Sequence, residues 1–234
     1  CQVCTDEIRA KGRCQHPNYR APKGRVCPVR GPRIAFEPKS RKFIYNKGDH
    51  RLLQSTVFFH ALRHFNWLMS LESAKSWPLP FQISLDLLVE VTLGVNANVT
   101  QYEVYSSGRQ VFDRRIIVGY GDQMSYQNLQ KDEDIISHEM GHHIIRRKVK
   151  DMSGGESMVI HEAVADYFTF ARTDDPCLGE AVCPRGSTRC VSGCMRRADT
   201  GIKKSNPIFR LKNSEHKQSQ AISGILWSVG LEKK

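Results

Sequence analysis

Two hydrophobic periods divide the chain. From Arg51 to Ser73 the apolar residues Leu52, Leu53, Val57, Phe58, Ala61, Leu62, Phe65, Leu68 and Met69 recur three and four positions apart, which predicts a long amphipathic helix. The period then drops to two. Phe81, Ile83, Leu85, Leu87, Val89, Val91 and Leu93 fill every second position, with Ser84, Asp86, Glu90 and Thr92 between them, the alternation of a strand with one buried face. Tyr102–Tyr105 and Arg115–Tyr120 read as further strands, and Ser106-Ser107-Gly108 supplies a turn between them. Beyond Gly121 the spacing is helical again, interrupted by a Cys-rich stretch. With no internal repeat, this order predicts an α+β fold. Its expected divisions are a basic Cys/Pro-rich arm over 1–48, an α+β subdomain over 49–150, and a helical subdomain over 151–234 with a Cys-rich insertion at 177–194.

Composition sharpens that picture. The 234 residues are 40% hydrophobic with a mean hydropathy of −0.45, enough to bury a sizeable core. No apolar run reaches the roughly 18 residues of a membrane-spanning helix. The opening Cys1-Gln2-Val3-Cys4-Thr5-Asp6 lacks the apolar core of a signal peptide, so any targeting signal is expected to be removed or to lie outside this chain. The net charge of +11 is concentrated at one end: residues 1–48 carry 12 Lys/Arg against 3 Asp/Glu, the rest 23 against 21. Before Phe36 the basic arm has only Tyr19 as an aromatic, so a specific nucleic-acid partner is not expected. An acidic surface would suit the arm's charge, with binding that weakens as salt rises.

Cysteines stand at 1, 4, 14 and 27 and again at 177, 183, 190 and 194. Their even number and Pro/Gly/Arg surroundings favour disulfides, hence an extracellular or periplasmic protein, and spacing does not give the pairing. Cys1-x2-Cys4 also begins like a zinc knuckle, and Cys1 is where a mature bacterial lipoprotein carries its lipid anchor. Asn98-Val99-Thr100 is a glycosylation sequon in a eukaryotic secretory context.

Chemistry concentrates in Asp134-Ile135-Ile136-Ser137-His138-Glu139-Met140-Gly141-His142, with Asp132 and Asp134 as candidate helix N-caps. Helical residues four apart differ by about 40° in azimuth, so His138 and His142 project together and can chelate one ion. Glu139 points about 100° aside, within reach of a water on that ion but not in its coordination sphere. His-Glu-x-x-His arises by chance often enough to need a third ligand. Gly154-Gly155 breaks the helix, and helical patterning resumes from Glu156. If the first helix runs about 10 Å past His142 and the second returns about 9 Å, Glu162 comes level with His142. Asp166, one turn further on, is then placed to accept a hydrogen bond from the far ring nitrogen of His138.

These residues resemble the thermolysin-like and fungalysin-like zinc metallopeptidases, gluzincins whose pattern is His-Glu-x-x-His, nineteen residues, then Glu-Ala-x-x-Asp. Nineteen residues separate His142 from Glu162, and Glu162-Ala163-Val164-Ala165-Asp166 fits the second element. Val118-Gly119-Tyr120-Gly121-Asp122 is similar to the family's turn before the zinc helix. Glu215-His216-Lys217-Gln218-Ser219-Gln220 resembles the segment whose histidine stabilises the oxyanion. The resemblance covers roughly 51–229. It implies a zincin-like fold, with a helix and twisted sheet packed on the zinc-binding helix. It also implies a zinc endopeptidase acting on polypeptides, with His138, His142 and Glu162 on the metal, Asp166 behind His138, and Glu139 and His216 catalytic. In that reading Glu139 is the general base for a metal-activated water and His216 donates to the oxyanion. The chain ends 18 residues after His216, so a short or truncated helical C-terminal part is expected, and no tyrosine stands near Ser153 where many members keep a second oxyanion donor. Calcium, common in the family, has no clear carboxylate cluster over 173–190, where Asp174-Asp175 reads as a turn. The shortened end and missing tyrosine also fit an inactive metallopeptidase-like binding or scaffold module. Casein or peptide turnover separates the two. His143 and His161, about 100° away from the neighbouring ligands, and His60 and His64, on the first helix, read as structural, the last two at the surface or core edge.

Overall fold

The helix expected from the first apolar stripe runs His50–Ser70 (α1) and ends three residues before the predicted limit. The computed structural model describes residues 19–21, 25–27, 43–46, 50–71, 86–89, 104–106, 110–112, 115–118, 125–127, 129–149, 155–190, 192–203, 205–207 and 214–232. In the basic arm Tyr19–Ala21 (β1) pairs antiparallel with Arg25–Cys27 (β2), Tyr19 opposite Cys27. The basic Cys/Pro-rich arm thus contains a short antiparallel pair, with Pro22 and Gly24 lying in sequence between its strands. Of the long alternating segment, Asp86–Val89 (β3) is described; its remainder, like Asn98 and Ser153, lies outside the described residues. β3 runs parallel to Arg115–Val118 (β6), Leu87 opposite Ile116, an arrangement the sequence pattern did not specify. Val104–Ser106 (β4) and Gln110–Phe112 (β5) pair antiparallel, Ser106 opposite Gln110, so Ser106 belongs to a strand rather than to the expected turn, whose other residues lie outside the described ones.

Three further helices follow: Glu133–Lys148 (α2), preceded by a 3-10 turn at Leu129–Lys131, then Gly155–Thr173 (α3) and Glu215–Leu231 (α4). Between α3 and α4 the two-residue strands Cys177–Leu178 (β7) and Arg196–Arg197 (β8) pair antiparallel. The helices pack in sequence, α1 on α2, α2 on α3 and α3 on α4. Their shared core draws Val57 and Ala61 from α1, Ile135, Ile136 and Met140 from α2, Phe170 from α3 and Trp227 from α4, joined by Leu178, Val182 and Ala198 of the Cys-rich segment. Phe170, fully buried, meets Trp227 edge-on at 6.3 Å, and burying a side chain of that size contributes about 1.5–3 kcal/mol.

One buried position on α1 corrects the sequence reading. His64 is 0% exposed, with no hydrogen bond to either ring nitrogen among the described residues and Trp67 5.4 Å away. The reason is phase: position 64 falls on the stripe of Val57, Ala61 and Leu68 that faces the core. Burial, aided by the Arg172 charge, pushes its pKa down to about 3. An unfolded chain takes up a proton there near pH 6.5 that the folded chain excludes. Stability therefore falls as pH drops from about 6.5 toward 3, by up to about 1.4 kcal/mol per pH unit from this group. His64→Leu is expected to flatten that acid limb, as read from urea unfolding at pH 7, 5 and 4. An unchanged slope would assign the acid loss to other groups.

Candidate metal centre

α2 is fixed at its start. Asp132 caps it, with Oδ1 accepting the backbone N–H of Asp134 at 2.8 Å and of Ile135 at 3.3 Å. From Asp134 to His142 every residue is then buried, His138, Glu139 and His142 included. α3 approaches it at Gly141, where a Cβ would lie 3.0 Å from the Ala165 Cα, so a side chain there would hold the helices apart. That contact lets the two helices bring their polar groups together. His138 Nε2 lies 3.2 Å from Glu162 Oε2, and His142 Nε2 lies 3.4 Å from Glu162 Oε1. The imidazole centroids of His138 and His142 are 4.4 Å apart. All three ligand atoms fall within 4.8 Å of one another, a grouping that could hold a metal ion. The donor set tests the fit. Glu162 Oε2 is buried, facing the ring nitrogens of His138 and His216 at 3.2 and 3.3 Å, and two imidazoles with one carboxylate are ligand types that suit zinc. His138, His142 and Glu162 would hold it.

Behind these groups lies a buried ionic network. Asp166, 0% exposed, takes His138 Nδ1 at 2.8 Å. Its two oxygens also receive a bidentate guanidinium from Arg196, Nε to Oδ2 at 2.8 Å and Nη2 to Oδ1 at 2.7 Å, while the Ser219 hydroxyl donates at 3.3 Å. Burial pushes the Asp166 carboxyl up, but Arg196 and His138 outweigh it and bring it down to about 2. For His138, burial opposes charge and the Asp166 and Glu162 carboxylates outweigh it, raising the ring to about 10 without a metal. Burial and the adjacent His138 charge lower His142 to about 4, leaving a neutral ring. Burial disfavours an ionised Glu162, yet the facing histidines hold its carboxyl far below the usual range. The pocket is thus a pre-charged carboxylate between two rings, one of which must shed a proton to bind a cation.

His216, in the first turn of α4, reaches the same carboxylate, its Nε2 3.3 Å from Glu162 Oε2, with a side chain 61% exposed. It stands on the open side of the group, whereas the His138, His142 and Glu162 side chains are each under 10% exposed. Glu139 is buried between the two histidines in sequence on α2. His161 departs from its expected orientation. Its ring stacks on that of His142, centroids 4.4 Å apart and planes 12° from parallel, because α3 packs close enough for both flanks of Glu162 to meet α2. The sequence reading also missed Arg196 and Ser219. Arg196 comes from just beyond the Cys-rich insertion, where no helical or strand period marks it.

The four described cysteines of that segment form two disulfides, Cys177–Cys194 and Cys183–Cys190. Asp174 turns the chain out of α3 at φ 59°, and Asp175 Oδ1 accepts the Cys177 N–H at 2.8 Å, so the acidic pair forms the expected turn. Carboxylates do converge elsewhere, among Asp132, Asp134 and Glu180, beside a cleft of about 470 Å³ that none of His138, His142 or Glu162 lines. Two of the three already serve the fold. Asp132 Oδ2 accepts the Ala181 N–H at 3.1 Å, and Asp134 Oδ2 accepts the Gly179 N–H at 3.0 Å. Burial raises both, Asp134 to about 8 with the help of the Asp132 charge.

Among solved structures the chain is similar to the precursor of protealysin, a metalloproteinase from Serratia proteamaculans, with a TM-score of 0.55 at 13% identity. The likeness covers 81% of this chain and 64% of that one, so the chain spans just under two thirds of the solved structure's length. At that identity the likeness is one of fold: a metalloproteinase-like arrangement of helices and short strands. No protein-family model matches the sequence, and no curated protein matches it.

Proposed function

We propose that this chain is a zinc-dependent endopeptidase, and that His138, His142 and Glu162 are its metal ligands. The observation that carries the reading is the convergence of those three buried groups, with one potential ligand atom from each within 4.8 Å of the others. The fold likeness to a metalloproteinase precursor supports it. Bound zinc supplies Lewis acidity toward a scissile carbonyl and toward an attacking water. Glu139 then acts as general base, taking the proton of the water and returning it to the leaving amine. His216, exposed beside Glu162, donates to the developing oxyanion, an interaction worth about 3 kcal/mol. Asp166 holds the His138 ring with Nε2 turned to the metal position. A substrate strand would pair with β5, whose other edge is taken by β4.

Polypeptides are the proposed substrates, and the two disulfides favour an oxidising, extracellular or periplasmic setting. No helix among the described residues is long and apolar enough to cross a membrane. The decisive variant is Glu139→Gln. Zinc content after dialysis should match the wild type while cleavage of a quenched peptide falls by about 10²–10⁴-fold. Unchanged turnover removes Glu139 from the reaction, and zinc binding without turnover in the wild type favours a binding module instead.

A further inference from the structure

We infer that the Cys177–Cys194 disulfide is a working part of the proposed metal centre: by pinning β8 it holds Arg196 on Asp166 and, through Asp166, fixes the ring of His138. The inference rests on the metal-site reading above and concerns how that site is kept in order. Arg196 is buried and supplies two hydrogen bonds to Asp166, yet it arrives from 30 residues further along the chain, out of a stretch with little regular structure. The strand that carries it has two residues, paired only with the two of β7, Leu178 opposite Arg196. Two flanking backbone bonds assist, Met195 N–H to Leu178 C=O and Ala198 N–H to Pro176 C=O, both 2.8 Å. So short a ladder does not hold a long excursion of chain by itself.

The disulfide supplies what the ladder lacks. Cys194 lies two residues before Arg196, and Cys177 lies four residues beyond the end of α3, the helix that bears Glu162 and Asp166. One covalent bond therefore ties the strand of the guanidinium to the exit of the helix bearing its carboxylate. The Arg197 guanidinium also contacts the Cys194 sulfur, Nη1 to Sγ at 3.4 Å. The second disulfide, Cys183–Cys190, closes a 7-residue separation inside the 17-residue one and touches none of these groups, which makes it an internal control.

Two experiments test this. In the wild-type chain at fixed free zinc, glutathione opens the bond by exchange: two glutathione thiols are oxidised to one glutathione disulfide, and Cys177 and Cys194 each gain a proton and an electron. Coupling is reciprocal, so a bond that tightens zinc binding is protected by zinc to the same degree. Zinc should raise the ratio of squared thiol to disulfide needed for half-opening of Cys177–Cys194 by about tenfold, the scale of an outer-partner effect, and leave Cys183–Cys190 unmoved. Alkylation and mass spectrometry read both bonds. Equal protection of the two, or none, overturns the inference.

In the second experiment Cys177→Ala/Cys194→Ala should weaken zinc binding by about tenfold in chelator competition and alter the visible bands of the cobalt-substituted site. Cys183→Ala/Cys190→Ala should change neither. Adding Arg196→Met to the first pair should bring little further loss, because both act through Asp166. Full additivity, or an affinity equal to wild type, counts against the proposal. A wild-type chain that takes up no zinc removes the metal-site reading itself, whereas zinc bound with no selective effect of Cys177–Cys194 removes this inference alone.

Discussion

Glu162→Gln should leave a folded chain that fails to retain zinc. Glutamine preserves the volume of the buried side chain and its packing on α3, so helix content and core contacts persist. What disappears is the negative charge. The Glu162 oxygens are the groups that meet His138 Nε2 at 3.2 Å, His142 Nε2 at 3.4 Å and His216 Nε2 at 3.3 Å, so one substitution removes the centre of the cluster. Loss of an outer partner costs about 10–100-fold in metal affinity, and loss of a ligand should exceed that. Zinc per chain after dialysis against a buffered chelator, with circular dichroism as the folding control, measures the result. Wild-type retention by Glu162→Gln would mean the third ligand is another group.

Asp166→Asn should produce the largest loss of stability among the site variants. The variant keeps the shape but leaves the Arg196 guanidinium, 8% exposed, facing a neutral amide. Removing one partner of a buried ion pair costs about 3–5 kcal/mol, because the remaining charge stays desolvated without compensation. For a chain of this length that corresponds to a fall in Tm of roughly 10 °C. Adding Arg196→Met removes the stranded charge and should recover most of the midpoint. Zinc affinity should not recover, since His138 still lacks its carboxylate acceptor. Thermal unfolding and chelator competition on the same three proteins separate the two contributions. A double variant less stable than Asp166→Asn would show that the guanidinium contributes packing beyond its charge.

Helical geometry explains why so much of this centre was legible in advance. Azimuth and rise are fixed by the helix, so spacing alone placed His138 beside His142, returned Glu162 to their level and set Asp166 one turn on. Helical spacing of apolar residues likewise identified α1. His64 is in phase with Val57, Ala61 and Leu68, so its burial follows from the apolar stripe although histidine as a residue type suggests the edge. Arg196 lay beyond such reasoning. It reaches Asp166 through the segment between α3 and α4, whose path is set by disulfides and single hydrogen bonds, and no periodicity encodes which of its five arginines turns inward. The stacking of His161 on His142 is not legible from azimuth on an isolated helix, which does not report how near the next helix comes. The parallel pairing of β3 with β6 likewise depends on chain reversal between them, which alternation of side chains does not report.

Asp166 joins partners spread widely along the chain: His138 before it, Arg196 and Ser219 well after it. The order in which the ribosome delivers them therefore matters. When the chain has been made only as far as the end of α3, His138 and Asp166 are both present, but the guanidinium and hydroxyl that complete the network are still untranslated. The network around Asp166 is thus complete only after the polypeptide through Ser219 has emerged.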